Sequence, residues 1–130
     1  MRKIETACII DDDPIFVFGA RRIMEMAEFC KSFLIYGNGK EALEQLKPRI
    51  IANENLPELI LLDINMPVMD GWQFLDEITK LPPRDTITIY IVTSSIDPAD
   101  TKRANEFNNL KGYIVKPITI DRLKHMLEDF

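Results

Sequence analysis

Five residues whose side chains carry charge or a hydroxyl stand directly behind short apolar runs. Asp11 and Asp12 follow Ala7-Cys8-Ile9-Ile10, Asp63 follows Leu59-Ile60-Leu61-Leu62, Thr93 follows the run from Ile87 to Val92, and Lys116 follows Gly112-Tyr113-Ile114-Val115. Carboxylates within about 4–6 Å of one another repel and raise each other's pKa, so three in one crevice call for a cation. Hard oxygen donors with room for water favour Mg2+, which also bridges to phosphoryl oxygens. A single lysine cannot neutralise three acids, but it can hold a phosphoryl oxygen as a point charge. Any one of these residues alone reads equally well as a helix cap or a loop contact. Five of them behind four separate runs point to one shared pocket.

The runs are the elements that must position these residues. Short apolar stretches closed by acidic or turn residues suit strands buried on both faces. Such strands are predicted over Ala7 to Ile10, Ser32 to Tyr36, Glu58 to Leu62, Ile87 to Val92 and Gly112 to Val115. Apolar residues at helical spacing predict a helix after each strand. The first is capped by Asp13-Pro14 and turns Ile15, Phe18, Ile23, Met26 and Phe29 inward; the second carries Ala42, Leu43 and Leu46 and stops near Pro48. The third opens at Asp70-Gly71 with Trp72 packing at its start and Phe74, Leu75 and Ile78 inward, and Pro82-Pro83 ends it. The fourth runs from Asp97-Pro98 to the region of Asn108, and the last presents Ile120, Leu123, Met126 and Leu127. Asp13, Asp70 and Asp97 read as caps, and Gly37-Asn38-Gly39 as a turn. This alternation predicts an α/β fold, a doubly wound parallel sheet with helices on both faces, because right-handed crossovers lay a helix over the sheet after each strand. In such sheets the ligand crevice lies outside the carboxyl ends of the strands, where the five residues fall.

At 130 residues and 15.0 kDa the chain fits a single domain over residues 1–130. Hydrophobic residues at 46% and charged residues at 28% match globular usage and exclude collagen-like, low-complexity and disordered classes. A net charge of −5 argues against a surface that neutralises nucleic-acid phosphates. No window reaches the roughly 18 apolar residues of a membrane span. The apolar stretch behind Met1-Arg2-Lys3 also stops too soon for a signal peptide. Cys8 and Cys30 share no metal or redox spacing and read as buried free thiols, so the expected setting is cytoplasmic.

The strings Ile9-Ile10-Asp11-Asp12-Asp13-Pro14, Leu61-Leu62-Asp63-Ile64-Asn65-Met66-Pro67-Val68-Met69-Asp70-Gly71, Thr93-Ser94 and Gly112-Tyr113-Ile114-Val115-Lys116-Pro117 resemble the receiver domain of two-component response regulators. So do the intervals of 51, 30 and 23 residues from Asp12 to Asp63, Asp63 to Thr93 and Thr93 to Lys116. The resemblance covers the whole chain, and the string from Asp63 to Gly71 is its most specific part. It implies a flavodoxin-like sheet in strand order 2-1-3-4-5 with five helices. It further implies that Asp63 is the phosphoacceptor, attacking a phosphohistidine of a partner kinase. Asp12, Asp63 and the backbone carbonyl of Asn65 would bind Mg2+, with Asp11 acting through water. Thr93 and Lys116 would contact the phosphoryl group, a cis bond would precede Pro117, and a switch would move Thr93 and rotate Tyr113 inward. The implied partners are a sensor histidine kinase or histidine phosphotransfer protein and a downstream protein target, with a homodimer on family analogy alone. Such a protein is no enzyme beyond assisting its own phosphorylation and dephosphorylation.

Two features depart from the family pattern. Ser94 stands where Ala or Gly is usual, and the segment from Arg49 to Leu56 is longer than usual, which reads as a tolerated surface insertion in preference to a partner contact. The chain end at Phe130 gives the expectation of a stand-alone receiver. One competing reading is a Mg2+-dependent phosphatase with an aspartyl nucleophile, but in haloacid-dehalogenase-like hydrolases that residue ends the first strand. The other is a degenerate receiver that only binds, against which the complete acidic set stands. His125 reads as a solvated helix position, and Gly37-Asn38-Gly39-Lys40 lacks phosphate-loop spacing.

Overall fold

Apolar runs with no polar side to turn towards water must be covered on both faces, and they pair side by side to satisfy their backbones. In the computed structural model these strands are β1 (Ile4–Ile10), β2 (Cys30–Tyr36), β3 (Leu59–Asp63), β4 (Thr88–Thr93) and β5 (Leu110–Val115). All pair in parallel, in the order β2-β1-β3-β4-β5. The helices are α1 (Pro14–Met26), α2 (Gly39–Ala52), α3 (Gly71–Ile78), α4 (Pro98–Ala104) and α5 (Ile120–Leu127). The structure describes residues 4–83, 86–94, 97–107 and 110–128. Met1-Arg2-Lys3, Asn108, Phe130 and the side chain of Leu127 lie outside the described residues.

Alternation along the strands divides the core in two. Ile9, Leu59, Leu61, Tyr90, Val92 and Ile114 pack with Phe16, Ala20 and Met24 of α1 and Leu123 and Met126 of α5. Their neighbours Cys8, Ile10, Ile60, Leu62, Ile89 and Ile91 pack with Ala42, Leu46 and Ile50 of α2, Trp72, Phe74 and Leu75 of α3 and Ala104 of α4. Each helix therefore has one assigned face of the sheet. On the second face Trp72 stacks on Phe107 at 6.0 Å between centroids, with the Arg103 guanidinium 5.3 Å from the Trp72 ring. Arg103 also lies 3.7 Å from Asp76, so α4 meets α3 through a cation and a carboxylate, and the aromatic pair joins α3 to the segment just after α4.

Several elements differ from the sequence expectation. β1, β2 and β5 start earlier than predicted, and β3 and β4 each shift one residue onward to include Asp63 and Thr93. Pro48 lies inside α2 rather than at its end. A mid-helix proline forfeits one backbone hydrogen bond and crowds the preceding turn. Here Ile50 beyond it is buried, and Asn53 closes the helix at φ 55 with its N–H on the Arg49 and Ile50 carbonyls. Half of the supposed insertion is thus the last turn of α2. Gly39 is the first residue of α2 rather than part of a turn, and Asn38 caps it. α4 ends at Ala104, short of Asn108, and Ile120 of α5 is exposed.

The largest correction concerns α1. Its buried stripe is Phe16, Ala20 and Met24, whereas Ile15, Phe18 and Met26 face solvent. Apolar residues lie on both sides of this helix, so hydrophobicity alone leaves its phase open. The Asp13 cap and the joint to β1 decide it. Met24→Ala is expected to cost about 2–5 kcal/mol in urea unfolding, and Phe18→Ser, at 73% exposure, no more than about 0.5 kcal/mol. The reverse ranking would contradict this phase.

Candidate functional site

Strand register brings the sequence-predicted residues to one edge. Asp11 continues β1, its N–H donating to the Tyr36 carbonyl at 3.1 Å, and Lys116 continues β5, its N–H donating to the Thr93 carbonyl at 2.8 Å. Asp63 pairs beside Val92 and Thr93 beside Val115. Side chains alternate faces along a strand. By that alternation Asp11, Asp63 and Lys116 share the side of Ile9, Leu61 and Ile114, over which α1 and α5 lie. Thr93 and Tyr113 fall on the opposite side, that of α3 and α4.

The acids are held by backbone. Asp11 Oδ1 accepts from the Asp13 N–H at 2.9 Å, while Asp13 Oδ1 accepts from the Ile15 N–H and so caps α1. Asp63 Oδ1 accepts from the Asn65 N–H at 3.1 Å. The chain then turns back so tightly that α3 starts against the end of β3. A Cβ at Gly71 would stand 2.6 Å from the Asp63 carbonyl oxygen and 2.8 Å from the Ile64 Cα, so only glycine fits there. Asp70 closes the turn with a capping box to Gln73. Gly39 has a similar role from the α2 side, because a Cβ there would meet the Met69 carbonyl oxygen at 2.8 Å.

Asp11 and Asp63 are 3% and 4% exposed, and Asp12 lies at the rim. Ligand-capable oxygens of the three lie within 4.8 Å of one another. Lys116 Nζ stands 2.9 Å from Asp11 Oδ2 and 3.9 Å from Asp63 Oδ2. The first approach is off the hydrogen-bonding direction, so Asp11 Oδ2 is buried with no hydrogen bond. An orphaned carboxylate oxygen among three hard donors fits a small divalent cation. Burial pushes the Asp63 carboxyl up to about 7, and the Asp11 charge adds to this, while the Asn65 N–H and the Lys116 ammonium oppose it.

The remaining sequence candidates divide clearly. Thr93 is buried at the end of β4. Tyr113 is half-buried, its hydroxyl donating to the Asp100 carbonyl of α4 at 3.1 Å and its carbonyl accepting from Arg122 of α5 at 2.7 Å. The Lys116–Pro117 bond is cis. Ser94 is exposed, as is His125, which lies 3.9 Å from Glu128 on the outer face of α5. Cys8 and Cys30 are buried and form no disulfide. Among the described residues no helix is long and apolar enough to cross a membrane. One residue at the site escaped the sequence reading: the Phe16 ring lies under Lys116, 4.8 Å from Nζ to the centroid. Its signal was the spacing of Phe16, Ala20 and Met24, masked by the apolar Ile15 and Phe18 beside it.

Without a cation, folded Asp63 keeps its proton between its ordinary 3.8 and about 7, while the unfolded chain has released it. The stability it contributes is fully present below 3.8 and is lost as pH rises through about 7. In chelator, Tm is expected to fall between about pH 5 and about pH 8. Asp63→Asn should flatten that fall, and added Mg2+ should restore most at the upper end. An equal slope in the variant would overturn this assignment.

The response regulator receiver domain model matches residues 7–128. A probable methanogenesis regulatory protein of Methanothrix harundinacea is 26% identical over 121 residues, covering 93% of this chain and 77% of that protein. A sensor histidine kinase of Helicobacter pylori is 38% identical over 80 residues, or 62% of this chain and only 9% of that much longer protein. The crystal structure of a two-component response regulator from Cytophaga hutchinsonii superposes with a TM-score of 0.88 at 27% identity, covering 98% of this chain and 97% of the other. With its sheet order, its acidic edge and this match over nearly its full length, the chain belongs to the response regulator receiver domain family.

Proposed function

We propose that the chain, over residues 1–130, is a phosphoacceptor that takes a phosphoryl group onto Asp63 from a phosphohistidine and passes the change to a downstream protein. The donor is a sensor histidine kinase or a histidine phosphotransfer protein, in a cytoplasmic setting. The observation that carries this reading is a buried Asp63 grouped with the Asp11 and Asp12 carboxylates and 3.9 Å from the Lys116 ammonium.

Asp63 Oδ2, the oxygen on the Lys116 side, attacks phosphorus in line. The phosphorus–nitrogen bond breaks with its electron pair leaving on the imidazole nitrogen, which then takes a proton from water, and an aspartyl phosphate results. Asp12, Asp63 and the Asn65 backbone carbonyl would hold a Mg2+ ion, with Asp11 acting through water, and that ion would supply charge neutralisation for the phosphoryl group. Lys116 provides a second positive charge, and the Thr93 hydroxyl moves from the other side of the sheet edge toward the phosphoryl group and donates to one of its oxygens. Tyr113 is hydrogen-bonded to α4, and this is the link through which the β5 edge responds. A new dianionic group making one to three charge-assisted hydrogen bonds shifts a balanced equilibrium by a few kcal/mol. The receiver is thus a signalling module rather than a turnover enzyme. Placement of Asp63 at the end of β3 rather than β1 weighs against the hydrolase reading.

Intact mass after incubation with acetyl phosphate and Mg2+ should show one phosphoryl adduct on the native chain. None should form with Asp63→Asn or with chelator. An adduct that persists in Asp63→Asn would sink the assignment. Asp12→Ala should lose most Mg2+ affinity, whereas Lys116→Gln should keep it and weaken only the response to phosphorylation. Equal metal loss in both would contradict this division of roles.

A further inference from the structure

We propose that Phe16 is a positioning residue for Lys116, its ring forming the neutral side of a three-sided seat that sets where the ammonium stands. The inference rests on the phosphoacceptor reading, in which Lys116 contacts the phosphoryl group. Lys116 Nζ lies 4.8 Å from the Phe16 ring centroid, 2.9 Å from Asp11 Oδ2 and 3.9 Å from Asp63 Oδ2. The lysine side chain is 15% exposed and Phe16 is 7% exposed, so the contact is largely shielded from water. Phe16 belongs to the first turn of α1 and packs in the same core as Ala20, Met24, Leu123 and Met126. Its ring is therefore held by helices rather than by the strand ends that carry the acids.

The three sides of the seat respond differently when the site is charged. A cation among the carboxylates draws on the negative charge that attracts the ammonium, and phosphorylation converts the Asp63 carboxylate into part of an acyl phosphate. Both ionic contacts thus change with the state of the site. The negative face of an aromatic ring does not change, and a shielded ammonium over it is held most firmly. Phe16 keeps Lys116 within reach of Asp63 while its ionic partners trade charge. Leucine would fill much of the same space without offering a negative face.

The test uses the full chain with Mg2+ and beryllofluoride as the phosphoryl mimic. Phe16→Leu should weaken beryllofluoride binding by about 2- to 30-fold, the factor that corresponds to a cation–π contact. Mg2+ affinity should be unchanged, and Phe16→Tyr should restore binding. In a Lys116→Gln background Phe16→Leu should add no further loss. On the native chain, NMR should place the Lys116 ε-methylene protons upfield, as ring current demands, which keeps the test independent of how the variants fold. Ordinary lysine shifts in the native chain, native binding by Phe16→Leu, or the same loss with Lys116→Gln present would each overturn the positioning role. A native chain that takes no beryllofluoride would overturn the phosphoacceptor reading itself, and this inference with it.

Discussion

Two carboxylates that repel each other are kept next to each other and away from water. Asp11 and Asp63 stand at the ends of adjacent strands, both nearly inaccessible, with Asp12 at the rim. Nothing local favours this: burial and the neighbouring charge both raise the Asp63 pKa, and only the Asn65 N–H and Lys116 oppose them. The arrangement exists because the sheet register and the large core beneath it leave the acids no other place. Hydrophobic burial on both faces fixes where each strand ends, and the repulsion at the edge is carried by that packing. The tight return at Gly71 and the backbone donors at Asp13 and Asn65 then fix the orientation of each carboxyl group.

Alternation along the strands also separates two tasks. Asp11, Asp63 and Lys116 lie on the side of α1 and α5, where Phe16 closes the seat of the ammonium. Thr93 and Tyr113 lie on the other side, and Tyr113 is tied to α4. In the proposed function chemistry occurs on one side of the sheet edge and its consequence is expressed on the other. The Lys116–Thr93 backbone hydrogen bond, at 2.8 Å, joins the two directly. A change at Asp63 therefore need not travel through the core to reach α4.

Much of this was legible in the sequence, because strand ends are marked by an abrupt change from apolar to polar residues. Asp11, Asp63, Thr93 and Lys116 sit at such changes, and the alternation of strand and helix set their common edge. The caps at Asp13, Asp70 and Asp97 were equally plain, since a short carboxylate before a helix has a local reason to be there. The phase of α1 was not legible, because Ile15, Phe18 and Met26 supply a second apolar side that only tertiary packing can reject. Phe16 was missed with it. Pro48 misled for a different reason: a rule about local backbone cost lost to the burial of Ile50 two residues onward.

Trp72 is the sole tryptophan of the chain, and it lies against Phe107, just beyond α4, and against Arg103 of α4. Both neighbours belong to the α4 side of that contact, and the Arg103 cation is itself anchored by Asp76. Indole emission responds to nearby charge and to stacking, so the intrinsic fluorescence of this protein is a single-site optical gauge of how α4 is seated. No dye or added label is needed to follow that helix in real time.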